Sequence, residues 1–170
     1  MAFDPSLYVI EMIGSSFLAI MPRPVPGEWL DDCLIRLKEK GIGRIVSLLE
    51  EDEARAIGLA DEQNHCTRNQ IEFLSYPIRD RGIPSDVERF SAFTLHLYVQ
   101  TARGPATAIH CRAGIGRASI VAAGVLLRCG FDPQEALEKI QQARGLEIPD
   151  TPEQRRWILD NHHRICQYRS

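Results

Sequence analysis

Short apolar runs alternate along the chain with polar stretches that carry glycine or proline. Residues 17–20, 45–49, 71–78 and 106–110 have the length and content of strands. Pro77 marks the third of these as an edge strand or a strand end. Between residues 28 and 40, Leu30, Cys33, Leu34 and Leu37 fall on one helical stripe that Gly41 stops. The acidic stretch 50–69 reads as one or two short helices, with Gly58 against a single long one. Ser85, with Glu88 three residues on, predicts a capping box for a helix reaching about residue 101. Residues 116–129 form an almost wholly apolar helix closed by Gly130, a pattern that requires burial on most sides. Asp132-Pro133-Gln134-Glu135 and Thr151-Pro152-Glu153-Gln154 each supply an N-cap, a proline at the first helical position and a partner at the third.

Strands that alternate with helices predict one α/β domain over residues 1–170. Its centre would be a mostly parallel sheet of four or five strands, flanked by helices. The 170 residues suit one such domain, and 44% apolar with 25% charged residues is a globular balance. A formal charge of −3, from 20 Lys and Arg against 23 Asp and Glu, gives no support for nucleic-acid binding. No apolar run is long enough to span a membrane, and the start shows no secretory pattern. A cytoplasmic location is the default expectation. Cys33, Cys66, Cys111, Cys129 and Cys166 are odd in number and widely spaced, which does not suit a disulfide framework or a structural zinc site. Cys33 and Cys129 sit on apolar helix faces as small core residues.

Cys111 differs from the others by its surroundings. Residues 110–119 read HCRAGIGRAS, a strand end, a glycine-bearing loop and a helix start. Gly114 and Gly116 allow the backbone to turn so that its amides converge. The helix N-terminus adds unpaired amides and the positive end of its dipole. Such a cradle suits a tetrahedral dianion. The same field favours a thiolate at Cys111, and the planar fork of Arg117 can hold two phosphate oxygens. Together they suit in-line transfer of a phosphoryl group to sulfur. A loop that binds phosphate without turning it over is the other reading.

HCRAGIGR resembles the HCxxGxxR signature of the protein tyrosine phosphatase superfamily, and the small chain is similar to its dual-specificity-like branch. LAIMPRP and YPIRDRGIP extend the resemblance over most of the chain. It implies a protein tyrosine phosphatase-like fold in which Cys111 attacks phosphorus to form a cysteinyl-phosphate. Arg112, Ala113, Gly114, Ile115, Gly116 and Arg117 would bind the phosphate, Arg117 also holding the transferred group. The family has Ser or Thr after the arginine, a hydroxyl that stabilises the departing thiolate in the second step. Ala118 lacks it, and Ser119 lies about 100° further around the helix.

A leaving oxygen needs a proton from an acid on a loop over the site. Asp80 follows a strand end on a Gly/Pro-bearing loop and resembles the acid of the family's PIxDxxxP pattern. Asp86 is the alternative, although a place in the Ser85 capping box already explains it. His110 is read as an orienting residue and not as a base. Gln154 resembles a glutamine that positions water for the second step in parts of the superfamily, and its capping box explains it equally. Glu50 or Glu51 could brace Arg117. Arg23, Arg79, Arg81 and Arg112 fall where they could rim the pocket. No metal or organic cofactor is required by this chemistry. Phosphotyrosine or another protein phosphoester is the leading substrate by resemblance. Phosphoinositide and RNA 5′-phosphate hydrolysis, and a catalytically weak phosphoprotein-binding domain, are the alternatives. Ile115, in place of a lysine found in some phosphoinositide phosphatases, points away from the first of these.

Overall fold

The computed structural model describes residues 4–167, so both ends of the expected 1–170 domain lie outside the described residues. Its centre is a five-stranded sheet in the order β1-β2-β5-β3-β4. The strands are β1 (Tyr8–Ile13), β2 (Ser16–Met21), β3 (Ile42–Ser47), β4 (Glu72–Ser75) and β5 (Ala106–His110). Only the β1–β2 hairpin is antiparallel; β2, β5, β3 and β4 run parallel. The expected mostly parallel sheet with flanking helices is therefore present.

Two helical layers cover the sheet. On one side lie α1 (Leu30–Glu39), preceded by a 3-10 turn at Gly27–Trp29, and the short helices α2 (Glu51–Ala56) and α3 (Glu62–Arg68). Leu30, Cys33, Leu34 and Leu37 are the buried stripe of α1, as their spacing predicts, and they join Ile45, Cys66 and Ala108 in one apolar cluster. The larger cluster, on the other face, gathers α4 (Val87–Arg103), α5 (Arg117–Arg128), α6 (Pro133–Arg144) and α7 (Pro152–Cys166). Every residue of α5 from Arg117 to Leu127 is buried, because the helix packs on α4, α6, α7 and β2 at once. No helix among the described residues is long and apolar enough to cross a membrane.

Three elements differ from the sequence expectation. Strand β1 is absent from it, because a bulge between Val9 and Glu11 breaks the alternation of a half-exposed edge strand. The third strand ends at Ser75, before Pro77, and lies at the sheet edge as that proline requires. Its pairing nonetheless continues through Tyr76 and Ile78, whose amides donate to Ser47 and Leu48. Helix α4 is capped by Asp86 and not by Ser85: one Asp86 oxygen accepts from the amides of Glu88 at 2.9 Å and Arg89 at 3.0 Å. A carboxylate there satisfies two orphan donors and meets the positive end of the helix. The capping boxes at Asp132 and Thr151 form as expected.

Strand β5 lies between β2 and β3, and all three end on the same side. In open parallel sheets ligands bind beyond the carboxyl ends of the strands, where the winding reverses. Cys111 follows β5 at that point.

Candidate active site

The loop from Cys111 to Gly116 is held by its carbonyls. His110 Nδ1 lies 3.0 Å from the Cys111 oxygen. The Arg23 amide donates to the Arg112 oxygen at 3.1 Å. Arg144, from α6, donates to the oxygens of Ala113 and Gly114, both at 3.2 Å. In a planar trans peptide the N–H points opposite to its C=O. Four carbonyls drawn outward therefore turn the amides of Arg112, Ala113, Gly114 and Ile115 to the opposite side, which is the geometry of an anion cradle.

Glycine is required twice in this loop. Gly114 has φ +69°, and a Cβ there would lie 2.5 Å from the Met21 oxygen at the end of β2. At Gly116 the demand is close approach: a Cβ would meet the Asp150 Cβ and Gln154 Oε1, each at 2.8 Å.

Arg117, at the first turn of α5, is 2% exposed. Its Nη1 and Nη2 donate to the two oxygens of Glu53 at 2.7 and 2.8 Å. Nη1 also reaches the Ile78 oxygen at 3.1 Å, and Nη2 reaches Asp80 Oδ1 at 3.0 Å. Burial pulls the guanidinium pKa down; the bond to Glu53 and the nearby Cys111, Glu53 and Asp80 outweigh this, so the net shift is upward. The Arg117 hydrogen bond likewise holds Glu53 below the usual carboxylate range, against its partial burial. The bracing acid is thus Glu53, not Glu50 or Glu51. Helix α2 starts at Glu51, and two residues turn a side chain by about 200°. Glu51 faces out to Arg55 at 2.8 Å while Glu53 faces in.

A cavity of about 250 Å³ opens over the loop. Cys111, Arg112, Ala113, Ile115, Gly116, Arg117, Asp80 and Gln154 line it, so most of the expected site residues converge. Gly114 and His110 do not line it. The first packs on the end of β2, and the second lies fully buried beneath the loop. Of the four arginines expected at the rim, Arg81 and Arg112 are there; Arg23 acts through its backbone amide and Arg79 lines no part of the cavity. Asp150, which the sequence does not single out, also faces the cavity, 3.8 Å from Arg81. The cavity wall therefore carries three cations and two carboxylates, a milder positive funnel than four arginines would make.

Asp80 is 55% exposed at its side chain and sits on the loop after β4. The next residue, Arg81, has φ +56°, uncommon for a residue with a Cβ. Gln154 makes both bonds of the Thr151 capping box, and its Nε2 donates to the Gly82 oxygen at 3.0 Å. It thereby ties the Asp80 loop to α7. Asp86 is occupied as the cap of α4. Ser119 Oγ is buried and has no hydrogen-bond partner among the described residues. Like Ala118, it is not part of the cavity wall.

Beneath the loop, His110 Nε2 lies 2.8 Å from Glu62 Oε1, with exposures of 0% and 2%. Burial pushes the imidazole pKa down, but the charge and hydrogen bond of Glu62 and the Cys111 carbonyl overcome it. The ring is held above its ordinary value, with Arg117 opposing. Glu53, Glu62 and Arg144 escape sequence reading because no local pattern distinguishes them.

An amide cradle opened by a cysteine at a parallel strand end and closed by a helix-borne arginine defines the cysteine-dependent phosphatase class. The family model described as "PTP-SAK: Swiss Army Knife protein, DSP-PTPase phosphatase domain" matches residues 8–157, and the chain belongs to that family. Cyclin-dependent kinase inhibitor 3 from Rattus norvegicus is 25% identical over 140 residues, covering 71% of this chain and 66% of that protein. The chain spans about half to two thirds of the length of the curated relatives it matches. Among solved structures, the fold is similar to kinase associated phosphatase with its catalytic cysteine replaced by serine. That likeness has a TM-score of 0.86 and 20% identity, and covers 100% of both chains. Tk-PTP in its active form gives a TM-score of 0.76 at 24% identity, with 94% of this chain and 98% of that one covered.

Proposed function

We propose that the protein hydrolyses phosphomonoesters through a cysteinyl-phosphate on Cys111, with phosphotyrosine or another protein phosphoester as substrate. The observation that carries this reading is the Cys111–Arg117 loop with its carbonyls drawn outward and Asp80 on the same cavity. The family and the phosphatase-named relatives support it. The Cys111 thiolate attacks phosphorus in line, the loop amides and Arg117 take the charge on the equatorial oxygens, and Asp80 protonates the leaving oxygen.

Of the five N–H groups of Arg117, the two on Nη1 and the two on Nη2 have the partners described above. Nε–H is left for phosphate. A second donor comes free when Asp80 leaves Nη2. An arriving phosphate monoester thus frees the Asp80 carboxylate to take up a proton from solvent or from the substrate monoanion and pass it to the leaving oxygen. Replacing Asp80 by Asn is expected to lower kcat for phosphotyrosine by about 10²–10³-fold. An aryl phosphate with a strongly acidic phenol needs little protonation and should lose far less. Equal losses on both substrates would remove Asp80 from this role.

Water then attacks the phosphocysteine, with Gln154 orienting it at the cavity wall. The Asp80 carboxylate left by the first step takes its proton, and the P–S bond breaks to return the Cys111 thiolate. Ala118 offers no hydroxyl to the departing thiolate, so this second step is expected to limit turnover. Rapid-quench kinetics should show a burst of one product per enzyme followed by a slow phase. A hydrogen bond to a charged group contributes about 1.5–3 kcal/mol, so Ala118→Ser should raise the slow phase about tenfold or more. A wild-type time course without a burst would contradict this.

Substrate class is tested by assaying phosphopeptides, phosphoinositides and 5′-phosphorylated RNA side by side, with Cys111→Ser as control. Phosphopeptide turnover that the control lacks is the expected result. Phosphate binding without turnover on every substrate would favour a phosphoprotein-binding domain.

A further inference from the structure

Both ring nitrogens of His110 face acceptors. Nδ1 lies 3.0 Å from the Cys111 carbonyl oxygen and Nε2 lies 2.8 Å from Glu62 Oε1, with the whole pair buried. A neutral imidazole has one N–H. A carbonyl cannot donate, so Nδ1 must carry a proton; a carboxylate at Nε2 requires the second. We propose that Glu62 is a positioning residue for the nucleophile: it keeps His110 doubly protonated, so that the ring grips the Cys111 carbonyl with the positive end of a buried ion pair toward the loop.

This rests on the cysteinyl-phosphate reading above and adds to it a residue that touches neither substrate nor sulfur. The imidazolium lies between Glu62 and Cys111, so the nucleophile meets the cationic end of the pair first. Arg117 supplies the other cation near His110. Cys33 of α1 and Cys66 of α3 also feel the Glu62 charge, and Cys66 is pushed up to about 12 by burial and by Glu62. Both thiols are pushed up and stay neutral there, and His110 is the basic side chain at hydrogen-bond distance from the carboxylate. Helix α3 thus reaches the catalytic loop through one side chain, although it forms no part of the cavity wall.

Glu62→Gln keeps the shape and removes the charge; Gln can donate to Nε2 while Nδ1–H still bonds the carbonyl. Nitrogen NMR of histidine-labelled wild type at pH 7 should show His110 with both nitrogens protonated, and one in the variant. A wild-type ring with an unprotonated Nε2, the sign of a carboxylic acid donating to it, would overturn the proposal and needs no variant that folds. Iodoacetamide alkylation of Cys111 at pH 7 should slow about tenfold in the variant. An unchanged alkylation rate in a folded variant would also overturn it. Because His110 is held above its ordinary value, the pair's stabilisation is fully present below about pH 6.5 and is lost as pH rises through the raised value. The melting-temperature gap between wild type and variant should therefore close as pH rises. None of these readouts depends on phosphatase activity. An inactive wild type would sink the hydrolase reading and leave this one to be decided separately.

Discussion

Replacing Cys111 by Ser is expected to reduce phosphate release by on the order of 10⁵-fold or more while leaving phosphate binding in place. The two halves of that result come from different atoms. Capture depends on the amides of residues 112–115, whose direction is fixed by partners on the opposite side of the loop: His110, Arg23 and Arg144. None of those contacts uses the sulfur. Transfer depends on a thiolate, and a serine hydroxyl in the same place is not ionised at neutral pH and has no base assigned to it. His110 cannot take that role, since both its nitrogens are engaged beneath the loop. Inorganic phosphate affinity measured beside turnover separates the halves. Loss of binding as large as the loss of rate would mean that the cradle depends on Cys111 in a way the geometry does not show.

Arg117→Lys carries the second large effect, a loss of about 10³-fold or more in kcat/KM. Lysine retains the charge, so a Coulomb argument alone predicts a small change. Arg117, however, meets Glu53 with two parallel bonds of 2.7 and 2.8 Å and reaches the Ile78 carbonyl and Asp80 besides. An ammonium group has three donors and no planar fork, so it cannot hold Glu53 and present a donor pair to phosphate. The variant should also melt lower, because Glu53 is partly buried and loses its bidentate partner. A variant that keeps more than a tenth of wild-type kcat/KM would show that charge, and not the fork, is what the reaction uses.

How much of this was legible in the sequence follows from the range of each interaction. The cradle was legible because strand, cysteine, glycines, arginine and helix are consecutive. The caps at Asp132 and Thr151 were legible for the same reason, each closing within three residues. At α4 two adjacent residues could cap, and choosing Asp86 over Ser85 depended on backbone angles. Strand β1 was hidden by its bulge. The partners that brace the site lie far off in sequence. Glu53 is 64 positions from Arg117, Glu62 is 48 from His110, and Arg144 is 30 from Gly114. Each is an ordinary charged residue on a helix until the fold delivers it. Asp150 comes to the cavity wall in the same way, when α7 docks against Gly116.

The central claim is that Cys111 becomes phosphorylated. The most direct test is mass spectrometry of wild-type protein, acid-quenched within the first turnover of an aryl phosphate. The account predicts one phosphoryl group per chain on the peptide that contains Cys111, held longer in wild type than in Ala118→Ser. Phosphate release with that peptide unmodified, or with the phosphoryl group on another residue, would contradict it.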